Sequence, residues 1–295
     1  MAFSVKGFFM FLLLLVCGGM LANGDIGFDT NYNVTWGFDH ALPMDEGRQM
    51  QIYMDKYSGA GFKSMKWFGS GIFHMRIKIP VRDSGGVVTA FYLTTEGDHT
   101  QDELDFEFLG NREGKPIILQ TNVITNGDAN REQRILFWFD PTADFHDYKI
   151  LWNHHQIVFY VDDTPIRVYK NNEKIRVPYP SRPMIIDASI WDGSNWATDG
   201  GQTKIDWNHA PFRAYFQGFD TISGCTLDNS KRDVTECYAS TYLWNHQEYW
   251  QLNSTQQEAY EKVKREYMNY DYCTDLQRFP TPPPECPLSA VVIPS

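Results

Sequence analysis

The stretch Asp102-Glu103-Leu104-Asp105-Phe106-Glu107-Phe108-Leu109-Gly110 alternates carboxylates with apolar residues at a period of two. Successive side chains of a β-strand point to opposite faces. On a strand, Glu103, Asp105 and Glu107 therefore line one surface while Leu104, Phe106 and Phe108 are buried behind it. Neighbouring carboxylates repel one another and raise at least one pKa, a cost that a purely structural strand has no reason to carry. The plainer reading is a solvated edge strand with its acidic residues outward. Against it, acidic residues are poor strand formers, and no Lys or Arg is interleaved to neutralise the three.

The chemistry that uses such a row is glycoside hydrolysis with retention, in which the nucleophile and the acid/base carboxyl lie ~5–5.5 Å apart. Residues four apart on a strand have Cα atoms ~13 Å apart, so Glu103 and Glu107 must lean toward each other. With Glu103 ionised, repulsion favours a proton on Glu107, which a leaving glycosidic oxygen requires.

From about residue 35 to 215 the chain consists of short alternating runs, such as 71–79 and 155–161. Breaks at Asp83-Ser84-Gly85-Gly86, Asn126-Gly127-Asp128 and Asp162-Asp163-Thr164-Pro165 carry turn chemistry. Many short strands with regular turns predict an all-β sandwich of two antiparallel sheets. After Gly218 the pattern changes. Residues 254–268 place Ala259, Val263 and Tyr267 at helical spacing. The proline-rich tail 280–287 cannot join a ladder and reads as an extended strap.

At the N-terminus Lys6 precedes an apolar run over 7–16, with small residues at Gly18, Gly19 and Ala22. That is the layout of a secretory signal peptide cleaved between Ala22 and Asp25. The run is shorter than the ~20 residues that a membrane span needs. The expected organisation is a signal peptide (1–24), a catalytic β-domain (25–218) and a C-terminal extension (219–295).

Of the five cysteines, Cys17 is lost with the signal. Cys225, Cys237, Cys273 and Cys286 remain, an even set in a secreted chain, which reads as two disulfides. Three connectivities are open, and sequence separation favours the local pairs. The spacings are too wide for CxxC zinc chemistry, and tandem His154-His155 reads as turn surface, so no metal or cofactor is expected. The net charge of −11 argues against nucleic acid, which needs clustered cations. Nine Trp and sixteen Tyr exceed what a core of this size requires and suggest platforms for sugar rings. Asn33-Val34-Thr35 and Asn253-Ser254-Thr255 are intact sequons, with Asn33 and Asn253 as glycosylation candidates.

The run from Asp102 to Asn111 resembles the active-site strand of the plant xyloglucan endotransglucosylase/hydrolases, in a clan of β-jelly-roll glycosidases that includes the lichenases. The resemblance continues through Gln120-Thr121-Asn122-Val123, Asn130-Arg131-Glu132-Gln133-Arg134, Trp138-Phe139-Asp140-Pro141-Thr142, Ile150-Leu151-Trp152-Asn153, Trp196-Ala197-Thr198 and Tyr270-Asp271-Tyr272-Cys273-Thr274-Asp275. It covers essentially all of the mature chain.

The resemblance implies a jelly-roll sandwich, Glu103 as nucleophile, Glu107 as acid/base and Asp105 as helper. It also implies the pairs Cys225–Cys237 and Cys273–Cys286. Donor and acceptor contacts carry over to Gln120, Thr121, Asn122, Asn130, Arg131, Glu132, Asn195, Trp196, Gly200 and Arg278, with Arg134 and Trp191 as further candidates. The implied protein is a secreted, monomeric, apoplastic enzyme that cuts xyloglucan and passes the fragment to another xyloglucan chain or oligosaccharide. The short 124–130 loop favours transfer, because hydrolysis-specialised members of the family carry a longer one. The alternatives are a xyloglucan endohydrolase, a mixed-linkage β-glucanase and a non-catalytic glucan-binding lectin.

Three positions depart from the family pattern. Gln101 stands at the usual His before Asp-Glu, in a loop one residue longer. Asp199 stands where Arg is common. Asn111-Arg112-Glu113 lacks the hydroxyl residue of the sequon that commonly follows the catalytic strand.

Overall fold

The computed structural model describes residues 27–96, 100–219, 223–228 and 233–286. The predicted signal peptide, and Asp98 and His99 of the loop before Asp102, lie outside the described residues.

After a one-turn helix α1 (Phe28–Asn31), the strands are β1 (Tyr32–Trp36), β2 (Ala41–Met44), β3 (Gln49–Met54), β4 (Ala60–Ser64), β5 (Trp67–Lys78) and β6 (Val87–Thr94). Then come β7 (Glu103–Leu109), β8 (Ile118–Ile124), β9 (Gln133–Leu136), β10 (His146–Trp152), β11 (Gln156–Val161), β12 (Thr164–Lys170), β13 (Ile185–Asp192) and β14 (Phe212–Gln217). The extension adds β15 (Ser223–Leu227), helix α2 (Ser254–Glu266) and β16 (Met268–Asp271).

The strands form the two antiparallel sheets expected. The first runs β1-β4-β13-β6-β7-β8-β9-β16, with the acidic strand at its centre, and the second runs β12-β11-β10-β5-β14-β3-β2. Period-two alternation on β7 drives its apolar half into the space between them. Leu104, Phe106 and Phe108 are buried, and the Phe106 ring meets Phe159 of the second sheet edge-on at 5.1 Å. Phe62, Phe91, Ala188 and Ile190 join the same core from neighbouring strands. The alternate residues of each strand therefore stand on the outer face of the first sheet.

The extension is integral to both sheets. Strand β15 pairs with β5, and β16 pairs with β9. The sequence reading runs the helix to Met268 and anticipates no strand beyond it. Instead α2 ends at Glu266 and β16 begins at Met268, because Tyr270 finds Arg134 as a cross-strand partner. Asn253 caps α2, and with Gln256 it forms a reciprocal capping box. Tyr260 and Val263 are its buried face. The disulfides are Cys225–Cys237 and Cys273–Cys286, with Cα separations of 5.5 and 5.4 Å. No described helix is long and apolar enough to cross a membrane.

Candidate active site

Antiparallel register sets residues side by side in rows across the outer face. One row is Asp187, Tyr92, Asp105 and Asn122, from β13, β6, β7 and β8. The next is Gly61, Ser189, Ala90, Glu107, Gln120, Arg134 and Tyr270, from β4 through to β16. Thr94 stands opposite Glu103.

Each carboxyl has its own environment. Thr94 Oγ1 donates to Glu103 Oε2 at 2.7 Å. Burial pushes the pKa of Glu103 up, and hydrogen bonds from Thr94 and Asp105 pull it back toward the ionised form. Asp105 is fully buried, and burial followed by the charges of Glu103 and Glu107 holds its pKa well above the ordinary carboxylate range. It shares a hydrogen bond with Glu103 that favours the proton on Asp105. Gln120 Nε2 donates to Glu107 Oε2 at 2.6 Å. Burial outweighs that bond and pushes the Glu107 pKa to about 7, with the charge of Glu103 adding to the rise.

A fourth carboxyl, absent from the sequence reading, belongs to the same face. Asp187 is pushed to about 7 by burial, with Glu103 adding to the rise, and it is hydrogen-bonded to Tyr92. Its only sequence signal is its place in alternation on β13, which has no meaning until β13 pairs with β6. Asp102, by contrast, takes no part in the row. Its carboxylate accepts from the backbone N–H groups of Asn126, Ser181 and Arg182, which fixes the loop leading into Glu103.

The structure brings most of the expected contact residues together. Gln120 Oε1 accepts from Arg134 Nε at 2.7 Å, and the Arg134 guanidinium lies over the Tyr270 ring at 5.4 Å. Arg278 donates to Glu132 at 2.8 Å and to Asn130, linking the extension to the start of β9. Asn122 faces the row of Asp105, and its Nδ2 donates to Ala129 O at 3.0 Å. Trp196 packs beside Trp191, with centroids 6.1 Å apart, over an apolar floor of Val88, Leu109 and Ala197. Asn195 is exposed at the turn before it. Gly200 has φ +61° and open space around the Cβ position. Asp199 accepts from Thr203 at 2.6 Å, so its carboxylate is held within its own turn.

Two expected contacts turn away from this face. Thr121 points between the sheets, where buried Arg167 donates to its carbonyl at 2.7 Å and its hydroxyl at 3.1 Å. Arg131 is buried, and its Nε donates to Glu285 Oε1 at 2.7 Å. Its Nη1 donates to Thr125 Oγ1 at 3.2 Å. Thr121 occupies the inward position of β8 between the outward Gln120 and Asn122, and Arg131 lies in the segment leading into β9. Their contribution is to tie β8, β9 and the strap together. Arg167 itself carries no motif by which a sequence reading could select it.

The carboxylate row lies on an open face suited to a polymer. A hollow of about 530 Å³ lies to one side, between residues 111–117 and 137–142. There Asn111 closes its own turn, with Nδ2 donating to Pro116 O at 2.8 Å.

The similarities of the chain agree with this geometry. Residues 28–209 match glycosyl hydrolases family 16, and residues 238–286 match the xyloglucan endo-transglycosylase C-terminus. Xyloglucan endotransglucosylase/hydrolase protein 2 of Arabidopsis thaliana is 53% identical over 277 residues, covering 94% of each chain. Xyloglucan endotransglucosylase protein 34 of Populus tremula x Populus tremuloides is 45% identical over 284 residues, covering 94% of this chain and 95% of its own. Among solved structures, the Bacillus licheniformis β-glucanase superposes with a TM-score of 0.51 at 24% identity, over 63% of this chain and 84% of its own. The Flavobacterium laminarinase gives 0.53 at 20%, over 66% of this chain and 94% of its own. These two speak for the jelly-roll fold alone. A carboxylate row on the outer face of a jelly-roll, together with these relatives, places the chain in the xyloglucan endotransglucosylase/hydrolases of glycosyl hydrolase family 16.

Proposed function

We propose that the protein is a secreted xyloglucan endotransglucosylase of the plant cell wall, acting as a monomer with retention of anomeric configuration. The observation that carries the mechanism is the unequal treatment of two carboxyls on one strand. Burial raises both, but two hydrogen bonds, from Thr94 and Asp105, pull Glu103 back toward the ionised form, whereas Glu107, with one from Gln120, is pushed to about 7. A Glu103 oxygen attacks the anomeric carbon as the bond to the leaving O4 breaks, and the Glu107 proton passes to that oxygen. Asp105, donating to Glu103, orients the nucleophile and spreads its charge. In the second half, Glu107 takes the proton of an acceptor 4-hydroxyl. The freed oxygen then bonds to the anomeric carbon, and Glu103 leaves.

Whether sugar or water receives the fragment depends on positioning. An aligned acceptor reaches effective molarities of ~10⁵ M or more, far above water itself. Supporting transfer, the short 124–130 turn is pinned by Gly127 N donating to Gln101 O at 2.8 Å. The extension sets Arg278, Glu132, Asn130 and Tyr270 in a cluster beside Gln120 and Arg134. We assign the acceptor to that end, with Trp196, Asn195 and Gly200 flanking the chain and Asn122 below it.

The test is to incubate the protein with xyloglucan and a saturating labelled xyloglucan oligosaccharide, measuring label incorporation against new reducing ends. Incorporation should account for most cleavage events. Reducing ends that accumulate as fast as the backbone is cut would make it a hydrolase.

A further inference from the structure

Across the outer face, the row containing Glu107 continues through Ala90, Ser189 and Gly61 to Trp36 on edge strand β1. Strand β4 presents Ala60 and Phe62 to the inter-sheet core, so Gly61 and Gly59 face outward. The indole covers both. A Cβ on Gly61 would sit 2.3 Å from Trp36 Nε1, and one on Gly59 would sit 3.1 Å from Trp36 Cη2. The ring therefore lies over the outer face of β4, and Trp36 remains 39% exposed. Only a glycine at 61 leaves room for this pose. Nothing taller than the serine side chain stands in the row between Glu107 and the indole.

We propose that Trp36 is a stacking platform for the glucan backbone, at the end of the face opposite the C-terminal extension. The indole lies over β4, and three strand spacings of ~4.8 Å put it ~14 Å from Glu107, close to the span of three sugars of an extended β-1,4-glucan. An exposed aromatic ring at that distance offers an apolar surface for the apolar face of a β-glucose unit. This assignment rests on the reading that the extension holds the acceptor, which makes Trp36 a determinant for the donor. It supplies binding remote from the reacting centre, which separates long donors from short ones.

The experiment compares kcat/KM for a series of xyloglucan oligosaccharide donors whose non-reducing side grows from two to five backbone glucoses. For the parent, kcat/KM should rise when the third unit is added. In Trp36→Ala that rise should vanish, a loss of about tenfold, while the shortest donor is used as well as by the parent, which shows that the variant folds. Trp36→Phe should restore most of the gain. Gly61→Ala, which drives a methyl into the indole, should lose the gain as the alanine variant does. Unchanged chain-length dependence in both Trp36→Ala and Gly61→Ala would overturn the proposal. An effect confined to acceptor length would instead overturn the assignment of the extension to the acceptor, because Trp36 would then serve the acceptor chain.

Discussion

Gln120 fixes Glu107 by a bond whose direction cannot be reversed. Arginine only donates, so Arg134 Nε at 2.7 Å forces the amide oxygen of Gln120 toward itself. The amide nitrogen then faces Glu107 Oε2, at 2.6 Å. That oxygen is occupied as an acceptor, and the proton of Glu107 is left to Oε1.

Gln120→Ala should therefore weaken activity through position and acidity together. A carboxyl freed by about 1 Å loses on the order of tenfold to a hundredfold in kcat. The lost bond is one that lowers the Glu107 pKa, so the alkaline limb of the pH–rate profile should move to higher pH. A variant with parental kcat and an unmoved limb would show that the contact is ornamental.

Glu103→Ala should abolish both transfer and hydrolysis, because the covalent route has no substitute nucleophile. Burial penalises the Glu103 charge, so its removal should leave the melting temperature at neutral pH equal to the parent's or above it. Circular dichroism melts alongside activity assays separate lost chemistry from lost fold.

The pH dependence should bear the mark of Asp187. Its folded pKa, about 7, lies above the ordinary value of 3.8. A raised acid stabilises the fold below its unfolded pKa, and that stability is lost as pH rises through the folded value. Asp187→Asn should thus melt above the parent at pH 8 and level with it near pH 3. Glu103, ionised first, raises Asp187, whereas Asp187 is still protonated where Glu103 titrates. The acidic limb of activity should therefore stay in place in the variant, and the alkaline limb near 7 stays with Glu107.

Replacing Cys273 and Cys286 by Ser should free the strap that delivers Glu285 to Arg131 at 2.7 Å. Closing a loop of this size contributes about 3 kcal/mol in the chain-entropy model, so a clear fall in melting temperature is expected. If the extension holds the acceptor, KM for the acceptor oligosaccharide should rise more than KM for polymeric donor. Equal changes in both would place the acceptor elsewhere.

The sequence by itself determined what alternation and spacing can carry. The period of two on β7 separated Glu103, Asp105 and Glu107 from Leu104, Phe106 and Phe108, and turn chemistry between short runs specified a sandwich. The four cysteines after the signal lie near enough in the chain to pair locally. Alternation also contained the answer for Thr121, which lies between Gln120 and Asn122 and so must face the other way, although the family resemblance carried it to the substrate. What only the tertiary structure decided is who stands beside whom across strands distant in the chain. Tyr92 meets Asp187, Thr121 meets Arg167, and Trp36 lies on Gly61, because these partners are set by register between strands far apart in sequence. Side-chain direction is a local property of a strand, and its neighbours are a property of the whole sheet.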